Sequence, residues 1–248
     1  MTGRLRRAAR WVVAGSLLAG AAAVAAFFVL FPTAPALADD RPTTLRLKPL
    51  ETDPRLLAEY PARWVAAHEI SAPGEPSFGG LSGLLLEGET LRAVGDRGVW
   101  LTARARRGPS GEVTALEQAR IGPLRDAVGA PLDGPAADAE SLARAEHAGP
   151  GVWVGFERRH RLSARASVDA QPAAAAEAPR APVERLGGNA GLEGLARAAD
   201  GALWAVAEAA DEGESRNQGW RYPAPVDASS RPRRFTYARL DEFDATGA

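Results

Sequence analysis

The residues best suited to chemistry are carboxylates that recur with the chain's own internal spacing. Glu140-Ser141-Leu142-Ala143-Arg144 returns 53 positions later as Glu193-Gly194-Leu195-Ala196-Arg197. Each copy leads into an apolar run that ends in an acid, Gly151 to Phe156 before Glu157 and Gly201 to Ala207 before Glu208. A fainter copy lies upstream, where Leu81-Ser82-Gly83-Leu84 leads through Leu91 to Gly95 before Asp96, and Ser82 stands 58 positions ahead of Glu140. Asp96, Glu157 and Glu208 therefore hold one position of the repeat, and Glu140 and Glu193 hold another, with Asp138 and Asn189 just before them. A unit of about 50 residues built on short strands is the mark of a repeat architecture. In a propeller, the innermost strands of successive units line one channel, which brings equivalent positions face to face. Gathered acids repel one another unless a cation or basic partners offset the charge. Calcium suits such a set, because it takes about six to eight oxygen ligands. A cation held by acids can recruit an anionic ester or phosphate oxygen and activate water. Asp96, Asp138 and Glu208 are accordingly candidate ligands for Ca2+, and Glu140, Glu157 and Glu193 are candidate catalytic groups.

Local charge pairing competes with that reading. Asp96 with Arg97, Glu140 with Arg144 and Glu157 with Arg158 are ready-made partners, and recurring acids also fix turns through backbone amides. At Phe156-Glu157-Arg158-Arg159-His160-Arg161 an acid, several bases and an imidazole meet at one strand end. That cluster either holds an anion, with His160 as a further candidate catalytic group, or forms a solvated hairpin tip. Arg97, Arg158 and Asn189 are the candidate substrate-binding residues. Gly80-Leu81-Ser82-Gly83-Leu84 fails as a nucleophile elbow, since the glycine two residues after the serine is missing and a β run follows where a helix belongs. The histidines His68, His147 and His160 lack metal-ligand spacing, and no Walker loop, dinucleotide fingerprint or zinc motif is present. Trp153 and Trp204 hold matching places in their runs and are expected to pack between units.

The elements that must position these groups read as short strands. The expected fold is all-β: a β-propeller-like array of four-stranded blades in an incomplete ring, preceded by an N-terminal hydrophobic helix. Thr44 to Lys48 and Trp64 to Ala66 are strand candidates in a lead-in segment, residues 39–76. The first unit has strands at Leu84–Leu86, Leu91–Val94, Val99–Arg104 and Glu112–Ile121. The second has strands at Ser141–Ala145, Val152–Phe156 and Arg161–Ala166. Residues 170–182 are low in complexity and carry three prolines, so they read as an exposed loop. Gly213 to Pro232 reads as a second long loop, and strand alternation resumes at Arg234 to Leu240. Three units and the start of a fourth occupy residues 77–248, whereas a closed ring needs about four or more. A truncated array is therefore expected.

Composition narrows the class. The apolar fraction is 46% and the formal net charge −1, as in a folded globular protein. Residues 1–38 hold four arginines and no acid, which leaves the remainder mildly acidic. Nothing in that balance favours nucleic acid, which calls for a basic face. Cysteine is absent, so disulfides, thiolate metal sites and cysteine nucleophiles are excluded. Arg4, Arg6, Arg7 and Arg10 precede an uncharged run from Trp11 to Phe31, and Ala36-Leu37-Ala38 offers a small-x-small cleavage site. Residues 1–38 read as an export signal, which places the rest in the periplasm or outside the cell. About 20 apolar residues also suffice to span a bilayer, so an inner-membrane anchor at residues 11–31 competes with cleavage. Membrane contact is expected only through that segment.

The motifs Phe78-Gly79-Gly80-Leu81-Ser82-Gly83-Leu84, Gly95-Asp96-Arg97-Gly98, Asp138-Ala139-Glu140-Ser141-Leu142, Phe156 to Arg161 and Asn189 to Leu195 together resemble the phytase-like proteins named for "esterase-like activity of phytase". The resemblance covers roughly residues 64–245. It implies an exported, propeller-like β fold and a hydrolase acting on a small-molecule ester or phosphoester. It supplies no catalytic set, so the site residues rest on the repeat alone. The reading from a different class is a non-catalytic propeller that binds a ligand or a cell-envelope partner. That reading expects the acids to be closed in salt bridges with Arg97, Arg144 or Arg158.

Overall fold

The computed structural model describes residues 37–51, 65–145, 151–177, 191–207, 217–226 and 230–237. All of them belong to one compact unit, Ala36–Ala248. The expected N-terminal helix, with the signal or anchor at residues 11–31, lies outside the described residues. Among the described residues no helix is long and apolar enough to cross a membrane.

The strands in chain order begin with β1 (Arg41–Pro42), β2 (Arg46–Pro49) and β3 (His68–Ser71). The first unit supplies β4 (Leu81–Glu87), β5 (Thr90–Gly95), β6 (Val99–Arg107) and β7 (Val113–Pro123). The second supplies β8 (Ala139–Arg144), β9 (Val152–Phe156), β10 (Arg161–Arg165) and β11 (Pro172–Glu177). The third supplies β12 (Leu192–Arg197), β13 (Leu203–Ala207), β14 (Asn217–Tyr222) and β15 (Arg233–Tyr237). Each unit is an antiparallel meander with its four strands in sequence order, and β1 adds a short edge strand beside β7. β2 and β3 pair separately. Among the described residues none of the sheets is closed.

Two expectations are corrected. The stretch at 170–182 is not simply a loop, because β11 pairs with β10 and completes the second sheet. Pro172 is the first residue of that edge strand, the place where proline's missing N–H costs least. The stretch at 213–232 contains β14, whose alternate side chains Gln218, Trp220 and Tyr222 are buried. Its polar letters hid a period-2 pattern whose inward members are one amide and two amphipathic aromatics. In the lead-in, the strand expected at Trp64 to Ala66 starts later, at His68, and Trp64 itself lies outside the described residues.

The sheets stack through two apolar layers. Val94, Trp100 and Leu124 of the first unit meet Ala139, Leu142, Val154 and Phe156 of the second. Ala143, Trp153 and Leu162 of the second meet Leu192, Leu203, Ala205, Trp220 and Tyr222 of the third. With a neighbour on each face of its sheet, β9 is buried at every position, which is why Val152–Phe156 reads as a continuous apolar run rather than an alternating one. The far face of the first sheet carries Leu91, Ala93, Leu101 and Ala103, partly covered by Leu45 of the lead-in and by Phe78 just after it. The leading strands β4, β8 and β12 lie side by side, with β8 in contact with both others.

Candidate functional site

The repeated phrase has a structural counterpart, because all three leading strands break register at the same place. β4 pairs with β5 as Leu81 to Gly95 and then Gly83 to Val94, which leaves Ser82 as an extra residue. β8 pairs with β9 as Ala139 to Phe156 and then Ser141 to Gly155, leaving Glu140. β12 pairs with β13 as Leu192 to Ala207 and then Gly194 to Val206, leaving Glu193. A bulge of this kind bends the strand and re-aims one side chain. Ser82, Glu140 and Glu193 are thus three versions of one aimed position.

The backbone just outside the bulge repeats as well. The Asp96 N–H donates to the Gly80 carbonyl at 2.9 Å, and the Glu157 N–H donates to the Asp138 carbonyl at 2.9 Å. In the first two units the chain leading into β4 or β8 thereby holds the acid that follows its partner strand. The same alignment places Gly191, not Asn189, at the third equivalent of Asp138. Gly80 has φ +57°, and a Cβ there would stand 2.0 Å from Asp96 Oδ1, so only glycine lets the carboxylate lie against the strand.

The second unit assembles the centre. One carboxylate oxygen from each of Asp138, Glu140 and Glu157 lies within 4.8 Å of the others. Asp138 and Glu157 are buried and Glu140 is half-buried. Glu193 reaches the same place from the third sheet, for its Oε1 and the Glu157 Cβ both crowd Gly191, at 3.1 and 2.9 Å from where a Cβ would be. Burial pushes the Glu140 carboxyl up to about 7, against a hydrogen bond from Ser82 that holds it down; Asp138 and the charge of Glu193 add to the rise. Asp96 stands at the edge of this group, and burial raises its pKa as well, with Asp138 adding to the rise and Arg97 and Arg158 opposing it. Desolvation and like charge both disfavour an ionised carboxylate, and nearby positive charge favours it.

Some is supplied by arginine. Arg158 Nε lies 2.7 Å from Asp138 Oδ2, and its backbone has φ 54° in the turn that follows Glu157. A residue other than glycine in that region carries strain, here at the rim of the acid group. Arg97 sits after Asp96 as Arg158 sits after Glu157, and its Nε is 4.0 Å from Asp96 Oδ1. Arg144 turns away from Glu140 to pair with Glu87 at 2.8 Å. Both Arg97 and Arg158 remain half-exposed.

Among the candidates named from sequence, the fold brings Asp96, Asp138, Glu140, Glu157, Glu193, Arg97 and Arg158 together. His160 is buried in the turn between β9 and β10 but is not one of the mutually close ligand groups. Asn189 and Glu208 lie outside the described residues. The repeat sets Ser82 level with Glu140, but as a serine it is offered a role in the sequence only as a nucleophile, so its place beside the acids was missed. Its distance from Asp96 in sequence, close to that from Glu140 to Glu157, was the signal that could have found it.

The fold and site define an all-β protein of repeated antiparallel sheets with acids gathered at the bulges of their leading strands. The chain belongs to the phytase-like family described as "esterase-like activity of phytase", whose sequence pattern matches residues 76–246. That membership suggests a hydrolase-type function. No curated protein and no solved structure matches the chain.

Proposed function

We propose that the protein is an exported hydrolase that cleaves an ester or phosphoester at the acid group of the leading strands, with calcium held by Asp138, Glu140 and Glu157. The observation that carries this reading is the convergence of four acids from two sheets, Asp138, Glu140, Glu157 and Glu193, beside half-exposed arginines. The donors fit the ion, since all are hard carboxylate oxygens and three protein ligands leave positions for water and substrate. When bound, the cation would supply Lewis-acid activation of an ester or phosphoryl oxygen and of water. Arg97 and Arg158 orient an anionic substrate from the rim, and Glu193 stands opposite Glu140 to accept a proton from water. In this reading the three sheets are blades of a propeller-like array, and β4, β8 and β12 are its inner strands. Residues 1–38 direct the domain to the periplasm or beyond, or hold it at the inner membrane through residues 11–31.

A second reading, a non-catalytic propeller that binds a ligand or an envelope partner, draws on the closed Arg158–Asp138 pair. The two part in an assay of the full chain on generic aryl esters and aryl phosphates, with calcium and with chelator. Calcium-dependent turnover that falls at least about 100-fold in Glu140→Gln/Glu193→Gln is expected of a hydrolase. Turnover no higher in the wild type than in the double variant would sink it.

A further inference from the structure

The stretch just ahead of β1 is packed into the domain, although the sequence reads part of it as the tail of the export signal. Leu37 is 5% exposed and shares one apolar cluster with Val99 of β6 and Ile121 of β7, against Phe78. The next three residues are held in turn. The Ala38 carbonyl accepts from Arg125 Nη2 at 3.1 Å, Asp39 Oδ1 lies 3.8 Å from the same nitrogen, and Asp40 pairs with Arg120. Arg125 is itself fixed by the body of the domain. Its Nη1 donates to the Gly129 carbonyl at 2.9 Å, and its own carbonyl accepts from the buried Arg165 at 2.9 Å. A Cβ at Gly122 would stand 2.7 Å from the Asp40 Cβ, so glycine leaves room on β7 where the segment crosses it. Exposed ion pairs add little to stability, so the buried leucine is the main hold on the segment.

We propose that Leu37–Asp40 is the first segment of the folded domain and that the export signal ends ahead of it, so the Ala36-Leu37-Ala38 motif is not cut after Ala38. Hydrolysis there would break the Ala38–Asp39 peptide bond and take Leu37 out of its cluster. The Ala38 carbonyl would leave as the carboxylate of the released peptide, and Asp39 would begin with an α-ammonium. Arg125 would then lose an acceptor and gain a like charge in its place. A second small-x-small triplet, Ala34-Pro35-Ala36, stands two residues upstream. A cut after Ala36, or no cut, leaves all of these contacts in place. Where the signal is cut rests on the export reading above; the packing of Leu37 does not.

The test expresses the full chain with its leader, recovers it from envelope and medium, and reads its first residue by mass spectrometry. The expected first residue is Leu37 or one ahead of it. It should be the same in Ala38→Gln, which puts a large side chain where a cut after Ala38 needs a small one. A wild-type chain beginning at Asp39 would overturn the proposal. Thermal melting of the protein so purified reads the packing without reference to export. Leu37→Ala, its first residue checked in the same way, should melt several degrees below wild type. Leu50→Ala, at a residue of the same lead-in that is 46% exposed, should melt within about one degree of wild type. Equal melting of Leu37→Ala and wild type would overturn the place of Leu37 in the domain. An uncut chain found only in the cytosol would sink the export reading, and the melting pair still decides whether the domain begins at Leu37.

Discussion

Trp153 and Trp204 occupy the same position of the same repeated strand, four residues before Glu157 and Glu208, yet one is 4% exposed and the other 37%. Trp153 points from the second sheet into the layer shared with the third. Trp204 is not part of that layer and packs against Phe235 of its own sheet, ring centroids 5.0 Å apart. The opposite faces show the same asymmetry: Leu142 of β8 is 6% exposed against the first sheet, and its counterpart Leu84 of β4 is 55% exposed. Repeat position sets where a side chain points; whether it is buried depends on what stands next to the sheet. The second sheet, with a neighbour on both faces, is also the one that supplies three of the gathered acids.

That contrast can be broken by paired substitutions. Trp153→Ala should cost about 3–5 kcal/mol, the usual range for an aromatic lost from a packed core. Trp204→Ala should cost less than about 1 kcal/mol, because a half-exposed ring gives up little buried area. Denaturant unfolding of both variants gives the comparison, and equal losses would mean that the two tryptophans are packed alike.

The leading strands offer a smaller version of the same contrast. Gly83→Ala should destabilise by about 1–3 kcal/mol, since its Cβ would meet backbone of β8, which cannot step aside. At the equivalent Gly194 the Cβ would meet a Val206 methyl at 2.5 Å. A side chain can rotate, so Gly194→Ala should cost under about 1 kcal/mol. The same unfolding experiment reads both, and a larger loss at Gly194 would contradict the close approach of β4 to β8.

Glu140 makes the central sheet sensitive to pH. Its carboxyl is raised from 4.5 to about 7 in the folded chain, chiefly by burial. Between those values the native state keeps a proton that the unfolded state has lost, so stability falls as pH rises through that window and levels off above it. A loss of about 1–2 kcal/mol is expected after allowance for partial solvent screening of a half-buried group. Unfolding free energies at pH 5 and 7.5 with chelator check this, and Glu140→Gln should flatten the slope.

Much of the fold was legible because the repeat is written in runs that only strands satisfy. Val99 to Arg104 and Val152 to Phe156 announced themselves by apolar content, and the paired turns set their spacing. β11 and β14 were hidden for physical reasons. An edge strand tolerates Pro172 and a plain alanine run, and β14 buries an amide where the eye looks for an aliphatic. At the site, the acids were visible as letters at equal spacing, but a bulge is a property of two strands in register and cannot be seen in one. Hence the shared aim of Ser82, Glu140 and Glu193, and the place of Gly191 level with Asp138, emerge only from the paired strands.

The central claim is that Asp138, Glu140 and Glu157 are gathered to hold a cation, and a crystal of the full chain grown with calcium tests it most directly. Anomalous scattering should give one peak among these three carboxylates, with oxygen distances of about 2.3–2.6 Å and Arg158 displaced from Asp138. A site without a peak, with the Arg158–Asp138 pair still closed at saturating calcium, would contradict the claim.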